Sequence, residues 1–167
     1  LVSRVKQIHT YDGEVQEAFC PQSITLVLED DIDISRGAML VKPDFLPGGD
    51  TELRARLCWM HPRALTPGRK FLLKHSTHST QAVVTELVSR LDLASYEPQL
   101  APAEFGLNDL GEVRLRTARS LFYDGYAENR FTGSFILNEP GTHATVAAGM
   151  FHPPTSPARP ELTDYAI

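Results

Sequence analysis

The chain has 167 residues, of which 42% are hydrophobic and 22% charged, proportions typical of a globular protein with a buried core. Its 16 basic and 21 acidic residues give a net charge of −5, which argues against the broad basic surface that nucleic-acid binding requires. No apolar run approaches the roughly 20 residues of a membrane-spanning helix, so we expect neither nucleic acid nor membrane among its partners.

The chain contains two cysteines, Cys20 and Cys58. They show no CxxC spacing and lie among strand-like residues, so we predict buried free thiols in a cytoplasmic protein. A disulfide between them stays open as the alternative. Leu1 lies directly in strand-like sequence, which indicates a piece of a longer protein.

Residues 1–43 form a first block of about four short predicted strands. Its clearest unit is an apolar strand at 24–28, followed by an acidic turn, an Arg-Gly pair and a second apolar strand at 39–41. So few short strands rarely bury enough apolar surface to be stable alone. We therefore expect this block to be part of a β-barrel whose apolar side chains need a partner surface.

A linker is predicted at 44–51, because KPDFLPGGD (42–50) carries two prolines and two glycines and offers little to a core. Residues 52–152 then contain six or more predicted strands in which apolar and polar residues alternate. The predicted buried rows are Leu53, Ala55, Leu57, Trp59; Val113, Leu115, Thr117; and Ala144, Val146, Ala148, Met150. Residues 153–167, with four prolines, are predicted to be an extended tail.

Two stretches have an ambiguous pattern. Residues 80–89 place Val84, Leu87 and Val88 at helical spacing, but their β-branched content favours a long strand, which we predict. Residues 98–105 predict a short turn of helix. Many short strands with few helical stretches predict an all-β fold, an antiparallel β-barrel preceded by part of a second β-barrel.

Signatures of nucleotide binding are missing from the sequence. GxxxxGK[ST] and NKxD do not occur, and residues 66–70 (TPGRK) have the composition of a phosphate-binding loop without its spacing. We interpret 66–70 as a tight turn between strands. We therefore predict no catalytic residue, no cofactor and no metal ligand in this chain.

The acidic turn of the first block contains Glu29, Asp30, Asp31 and Asp33. It lacks the glycine and the distal glutamate of an EF-hand loop, so we do not favour a divalent metal site. We favour a turn in which Asp33 and Ser35 accept backbone hydrogen bonds and Arg36 pairs with a carboxylate. Asp31, Asp33 and Arg36 are also candidates for contact with a partner.

Three histidines could suggest a zinc site. His75 and His78 are three residues apart, and His61 is near them only in sequence. No neighbouring cysteine or carboxylate completes a ligand set. We therefore interpret them as solvent-exposed loop histidines.

Seven motifs occur in an order that resembles one family. They are DGEVQEAF (12–19), SITLVLEDDIDISRGAMLV (23–41), CWM (58–60), LTPGRKFLLK (65–74), LNDLGEV (107–113), DGYAENRFTGSFI (124–136) and ATVAAGM (144–150). The set resembles the large subunit of GTP-dependent sulfate adenylyltransferase, a GTPase with barrels like those of elongation factor Tu. The first two motifs correspond to its domain II and the rest to its domain III. The pattern departs from that family at His61-Pro62, Asn138 and Ala147.

The resemblance implies an activity that this chain alone does not carry. The family's large subunit joins a GTPase domain, where GTP and Mg are expected, to two β-barrels, and some members add a kinase domain. A small catalytic subunit converts ATP and sulfate into adenosine 5′-phosphosulfate and pyrophosphate, driven by GTP hydrolysis. The implied partners are therefore the small catalytic subunit and the parent's own GTPase domain. The chain itself is expected to be an inactive barrel portion of this enzyme of sulfate assimilation.

The segment 124–133 holds the densest group of polar and aromatic residues, Asp124, Tyr126, Asn129, Arg130 and Thr132. It could contact the GTPase domain or the small subunit, with Arg130 binding a carboxylate or phosphate through two hydrogen bonds. We favour a β-turn in which Asn129 and Gly133 supply unusual backbone angles. Asp124, Asn129 and Arg130 stay candidates for an interface.

A second class of function is the barrel pair of a translation-type GTPase that binds tRNA or the ribosome. The predicted architecture is the same. The acidic balance of the chain and its DIDISRG and NRFTG motifs favour the sulfate adenylyltransferase family instead.

Overall fold

The computed structural model describes residues 1–43 and 48–155, and the regular secondary structure in these ranges is entirely β-strand. Residues 44–47 of the predicted linker and 156–167 of the predicted tail lie outside the described residues. The chain forms two units, Leu1–Ser35 and Arg36–Ile167. The predicted boundary after residue 43 stays a prediction, and residues 48–51 of the predicted linker belong to a strand.

The first unit is a small antiparallel sheet. Its strands are β1 (Val5–Thr10), β2 (Gly13–Val15) and β3 (Thr25–Leu28), in the order β2-β1-β3. Every residue from 1 to 35 is described, and none of them is buried. This small sheet therefore has no buried core of its own, because three short strands cover little apolar surface.

The predicted strand at 39–41 is wrong. These residues belong to no strand, and Leu40 and Val41 are exposed. Residues 1–43 accordingly contain three strands rather than about four. An apolar run becomes a strand only where a neighbouring strand supplies hydrogen-bond partners, and none pairs with 39–41 among the described residues.

Within the described residues, the second unit has seven strands. They are β4 (Gly48–Trp59), β5 (Lys70–His75), β6 (His78–Leu91), β7 (Pro98–Leu100), β8 (Leu110–Tyr123), β9 (Ser134–Asn138) and β10 (Thr145–Phe151). Six of them pair antiparallel in the order β5-β9-β10-β4-β8-β6, and β6 pairs back with β5. The sheet is therefore a closed barrel, with β7 added beside β6. This confirms the predicted all-β antiparallel barrel.

The barrel interior is filled by the inward side of each strand. On β4, Leu53, Ala55, Leu57 and Trp59 are buried as predicted, and Val113, Leu115 and Thr117 of β8 are buried as well. Leu65 and Phe105 are fully buried and exchange two backbone hydrogen bonds, of 2.9 and 3.0 Å. Period-two alternation thus places one row of each strand in the core.

The buried row predicted for 144–150 is wrong except at Val146. Val146, Ala147, Gly149 and Phe151 are buried, whereas Ala148 and Met150 face outwards and Ala144 is exposed. A register irregularity between Thr145 and Ala147 shifts the alternation by one residue. Such a bulge exchanges the two faces of the rest of the strand.

The two ambiguous stretches resolve in different ways. Residues 80–89 lie within β6, which confirms the strand prediction. The helical turn predicted at 98–105 is wrong, because β7 occupies its first three residues and pairs with Ser89–Leu91 of β6. The long β6 offers backbone partners there, and this pairing outweighs the local helical preference.

Candidate interaction surface

The segment 124–133 is an ordered loop held by its own polar side chains. The Asp124 carboxylate accepts a hydrogen bond from the Thr132 hydroxyl and one of 3.5 Å from the Asn129 amide. The Asn129 side-chain oxygen in turn accepts from the backbone N–H of Phe131, at 3.1 Å. Asp124 and Asn129 therefore build the loop, whereas Arg130 is exposed and has no ion pair with any described residue.

The prediction that Asn129 and Gly133 supply unusual backbone angles in this loop is wrong. Neither Asn129 nor Gly133 is among the residues with positive φ. Glycine is required at 133 for space, because a Cβ there would lie 2.4 Å from the Tyr126 Cα. The loop thus needs a close approach of two backbone segments rather than a left-handed residue.

His75 is buried, so its prediction as an exposed loop histidine is wrong. It follows Phe71 and Leu73 on the inward side of β5, and its Nε2 lies 2.7 Å from the Thr132 carbonyl oxygen. Burial is the main cause that lowers the pKa of His75, opposed by the hydrogen bond to Thr132. Period-two alternation on β5 was the signal that could have placed this ring in the core.

The other histidines of the proposed trio do not complete a site with His75. Both His61 and His78 are half-buried rather than fully exposed. Within residues 1–43 and 48–155, no three His, Cys, Asp or Glu side chains come together in a way that could hold a metal ion. We therefore assign His75 a structural role, the contact of its ring with the Thr132 carbonyl oxygen.

A turn at Pro67-Gly68 lies between β4 and β5, as predicted for this segment, with Gly68 at a φ of +87°. The Arg69 guanidinium lies 5.4 Å from the ring centre of Trp59 and 5.2 Å from that of Phe71. It also donates to the Ala64 carbonyl at 2.9 Å and pairs with Glu139 at 3.4 Å. Arg69 therefore joins the turn to the barrel core instead of facing a phosphate.

In the acidic turn, the side chain that accepts a hydrogen bond is Asp30, which was not predicted to do so. Asp30 accepts a hydrogen bond of 2.7 Å from Ser3 Oγ, whereas no side-chain bond of Asp33, Ser35 or Arg36 occurs among the described residues. The predicted capping by Asp33 and Ser35, and the predicted pairing of Arg36, are therefore wrong. Asp31, Asp33 and Arg36 are exposed, and their contact with a partner stays a prediction.

The two cysteines are free thiols, as predicted. The prediction that both are buried is wrong, because Cys20 is exposed and Cys58 is half-buried. Cys58 points outwards from β4, between the buried Leu57 and Trp59. This position makes it part of a surface that the sequence did not reveal.

That surface is a groove across the outer face of the barrel. The strand register aligns one outward residue from each of five neighbouring strands, Lys74, Ile136, Ala148, Cys58 and Leu110. A second, parallel row consists of Ser134, Met150, Arg56, Glu112, Ser89 and Leu100. Both rows line one groove of about 1200 Å³.

Apolar side chains of two further segments also line the groove. Tyr126 and Phe131 of the 124–133 loop line one part, and Leu91, Pro98 and Leu100 of the β6–β7 pair line another. Phe131 and Leu100 are 81% and 74% exposed, so their rings and methyl groups lie largely in solvent. The 124–133 loop, which carries the interface candidates Asp124, Asn129 and Arg130, therefore borders the groove through its aromatic residues.

A sequence signal for this groove existed in the segment 144–150. ATVAAGM is apolar at both alternating sets of positions, a pattern typical of a strand that is covered on both faces. The single buried row predicted for this segment wrongly placed the outward Ala148 and Met150 in the core. The contributions of Ile136 and Leu110 depend on register between distant strands, which local patterns do not show.

The chain belongs to the GTP-eEF1A C-terminal domain-like family, which it matches over residues 52–152. Within this class of protein, the chain is similar in sequence to sulfate adenylyltransferases. It is 43% identical to the bifunctional enzyme CysN/CysC of Rhodopirellula baltica, over 89% of the chain and 23% of that protein. It is 42% identical to the sulfate adenylyltransferase subunit 1 of Bacteroides fragilis, over 89% of the chain and 31% of that protein.

These relatives confirm the resemblance drawn from the seven ordered motifs. The chain spans between about a quarter and a third of the length of the curated relatives it matches, for example 24% of the Mycobacterium tuberculosis CysN/CysC enzyme at 42% identity.

Solved structures support the fold. The crystal structure of Sup35 complexed with GDP superposes with a TM-score of 0.81, covering 92% of this chain and 38% of that one at 18% identity. This likeness concerns the fold alone. Within the described ranges there is also no helix long and apolar enough to cross a membrane.

Proposed function

We propose that the chain is the non-catalytic β-barrel portion of a sulfate adenylyltransferase large subunit. In this role it supports the conversion of ATP and sulfate into adenosine 5′-phosphosulfate and pyrophosphate. It does so by coupling the state of the parent's GTPase domain to the small catalytic subunit. The observation that carries the proposal is the identity of 43% and 42% to two sulfate-adenylyltransferase-family proteins over 89% of the chain.

The chemistry of the described residues supports a structural role. His75, whose pKa is lowered mainly by burial, contacts a backbone carbonyl, and the Arg69 guanidinium packs against two aromatic rings. Catalytic groups need access to a substrate, which neither of these side chains has. GTP and Mg would bind to the parent's GTPase domain, and the partners would be that domain and the small catalytic subunit.

The sulfate adenylyltransferase proposal is favoured over a translation-type barrel pair by the level of identity. The likeness to Sup35 rests on 18% identity, less than half of the values above. The net charge of −5 also offers little attraction to tRNA or ribosomal RNA. The two free thiols are consistent with a cytoplasmic location, where disulfides are rare.

A binding experiment tests the proposal. The chain is mixed with the small catalytic subunit of its own organism, and complex formation is followed by sedimentation velocity. We expect a faster-sedimenting complex that forms equally well with and without GTP. The chain alone should show neither saturable binding of a fluorescent GTP analogue nor GTP hydrolysis. Absence of a complex, or GTP hydrolysis by the chain alone, would contradict the proposal.

A further inference from the structure

We propose that the outer groove of the barrel, defined by its two aligned rows, binds an apolar segment bearing carboxylates from the small catalytic subunit. This inference rests on the proposed function, because it names the surface through which that partner is held. The relatives called sulfate adenylyltransferase subunit 1 bear a name that describes one member of an assembly.

The outward face of the barrel is unusually apolar along one row. Ile136, Ala148, Cys58 and Leu110 follow one another across four adjacent strands. In an antiparallel sheet the solvent-facing side is ordinarily polar, so a continuous apolar row there indicates a surface that another molecule covers. Met150, in the second row, is 40% exposed and extends this apolar floor.

The size of the groove fits a protein segment better than a small molecule. Its volume of about 1200 Å³ exceeds the roughly 300–1,000 Å³ of typical ligand pockets. It crosses strands β9, β10, β4 and β8 and continues to the β6–β7 pair. Exposed Phe131 and Leu100 can pack on such a segment as apolar anchors of the kind that dominate binding energy.

The charge of the groove selects the chemistry of its occupant. Arg54 is paired with Glu112, whereas Arg56 and Lys74 have no ion pair with any described residue. Both of these cations are exposed and line the groove. The groove is therefore locally positive in a chain of net charge −5, so a segment with Asp or Glu beside its apolar residues complements it.

A short edge strand makes side-chain docking the preferred mode of contact. β7 has three residues and begins with Pro98, which has no backbone N–H to donate. Short, proline-containing edges discourage the addition of a further strand. The affinity must then come from the apolar floor and the two cations.

Cys58 provides a reporter for this groove in the unmodified chain. It lies in the apolar row and is half-buried, whereas Cys20 is exposed in the first unit and serves as an internal control. The chain is labelled with iodoacetamide alone and with the small subunit present, and the two peptides are quantified by mass spectrometry. With the small subunit at about ten times its Kd, we expect labelling of Cys58 to slow about tenfold and that of Cys20 to stay unchanged.

A pair of charge reversals tests the electrostatic part. Lys74→Glu and Lys70→Glu change the same strand, β5, by the same charge, and both lysines are exposed. Only Lys74 lines the groove. We expect Lys74→Glu to weaken binding of the small subunit about tenfold and Lys70→Glu to change it by less than about twofold.

The possible outcomes distinguish a failure of the groove proposal from a failure of the proposed function. A complex that protects Cys58 and responds to Lys74→Glu supports the groove. A complex that forms while Cys58 reacts at its free rate overturns the groove and leaves the proposed function standing. If no complex forms with the intact chain, both the groove and the proposed function fail.

Discussion

Burial of one ionisable side chain gives the barrel a pH dependence at the scale of single residues. The pKa of His75 is lowered mainly by burial and also by His78, while the Thr132 carbonyl and Asp124 act in the opposite direction. A lowered pKa in the folded state means that the unfolded chain binds more protons in mildly acidic solution. The contribution of His75 is therefore fully present above the unfolded pKa of about 6.5 and is lost as the pH falls towards the folded value.

Replacing His75 should flatten this pH dependence. In His75→Gln the amide can still donate to the Thr132 carbonyl but cannot take up a proton. Between about pH 7 and about pH 5, we expect the free energy of unfolding to fall less steeply in this variant than in the unmodified chain, as measured by urea denaturation. His152, whose pKa is also lowered by burial, keeps its share in both proteins.

The matched control is His143→Asn. His143 is exposed, and its φ of 57° is a conformation that asparagine also adopts. This variant should retain the slope of the unmodified chain. Equal slopes for all three proteins would contradict the role assigned to His75.

Arg69 is a second residue whose particular chemistry is expected to matter. Its planar guanidinium lies near Trp59 and Phe71 and is largely shielded, with 15% of the side chain exposed. Arg69→Lys keeps the charge but loses the planar stacking, so we expect a loss of about 1 kcal/mol in the free energy of unfolding. Arg119→Lys, at an exposed position, should change it by less than about 0.5 kcal/mol. A loss no larger than that of the control would show that the stacking does not contribute.

At the scale of elements, two strands and a buried ring approach closely where β8 begins. Gly111 pairs with Arg90 of β6, and a Cβ at this position would overlap both the Phe105 ring and the Ser89 carbonyl oxygen. The backbone oxygen cannot move away without disturbing the pairing of β6. Glycine at 111 thus lets two strands and a buried ring meet.

Gly111→Ala should therefore destabilise the fold. We expect the free energy of unfolding to fall by about 2 kcal/mol or more, as in other overpacked cores. Gly141→Ala is the control, because a Cβ there meets nothing within 4 Å, and it should change stability by less than about 0.5 kcal/mol. Coinciding urea midpoints for the two variants would contradict this account of the β6–β8 contact.

The elements also show which parts of the fold local patterns can predict. The alternation of Leu53, Ala55, Leu57 and Trp59 predicts β4 correctly because no bulge interrupts these residues. On β10 the irregularity after Thr145 exchanges the two faces, and β7 forms because β6 extends far enough to pair with it. Bulges and long-range pairing depend on tertiary contacts, so no single segment reveals them.

At the scale of the whole molecule, the closed barrel brings together residues that are distant in sequence. The same groove is lined by Cys58, Leu110 and Ile136 only because six strands close into a barrel in a particular order. The ordered motifs predicted the family from the sequence, and the interface candidates stay predictions, namely Asp31, Asp33, Arg36, Asp124, Asn129 and Arg130. In the structure, Asp124 and Asn129 hold a loop whose Phe131 borders the groove.

The central claim is that this chain supports the reaction of a sulfate adenylyltransferase through its particular sequence and not only through its fold. It is tested by replacing the matching 149-residue stretch of the Bacteroides fragilis subunit 1 with this chain. A second chimera carries the Sup35 barrels, which share the fold at a TM-score of 0.81 but only 18% identity. Both are assayed with the small subunit for GTP-stimulated release of pyrophosphate from ATP and sulfate.

We predict that the chimera with this chain retains GTP-stimulated pyrophosphate release and that the Sup35 chimera loses it while still hydrolysing GTP. A chimera with this chain that hydrolyses GTP without stimulating pyrophosphate release would contradict the claim.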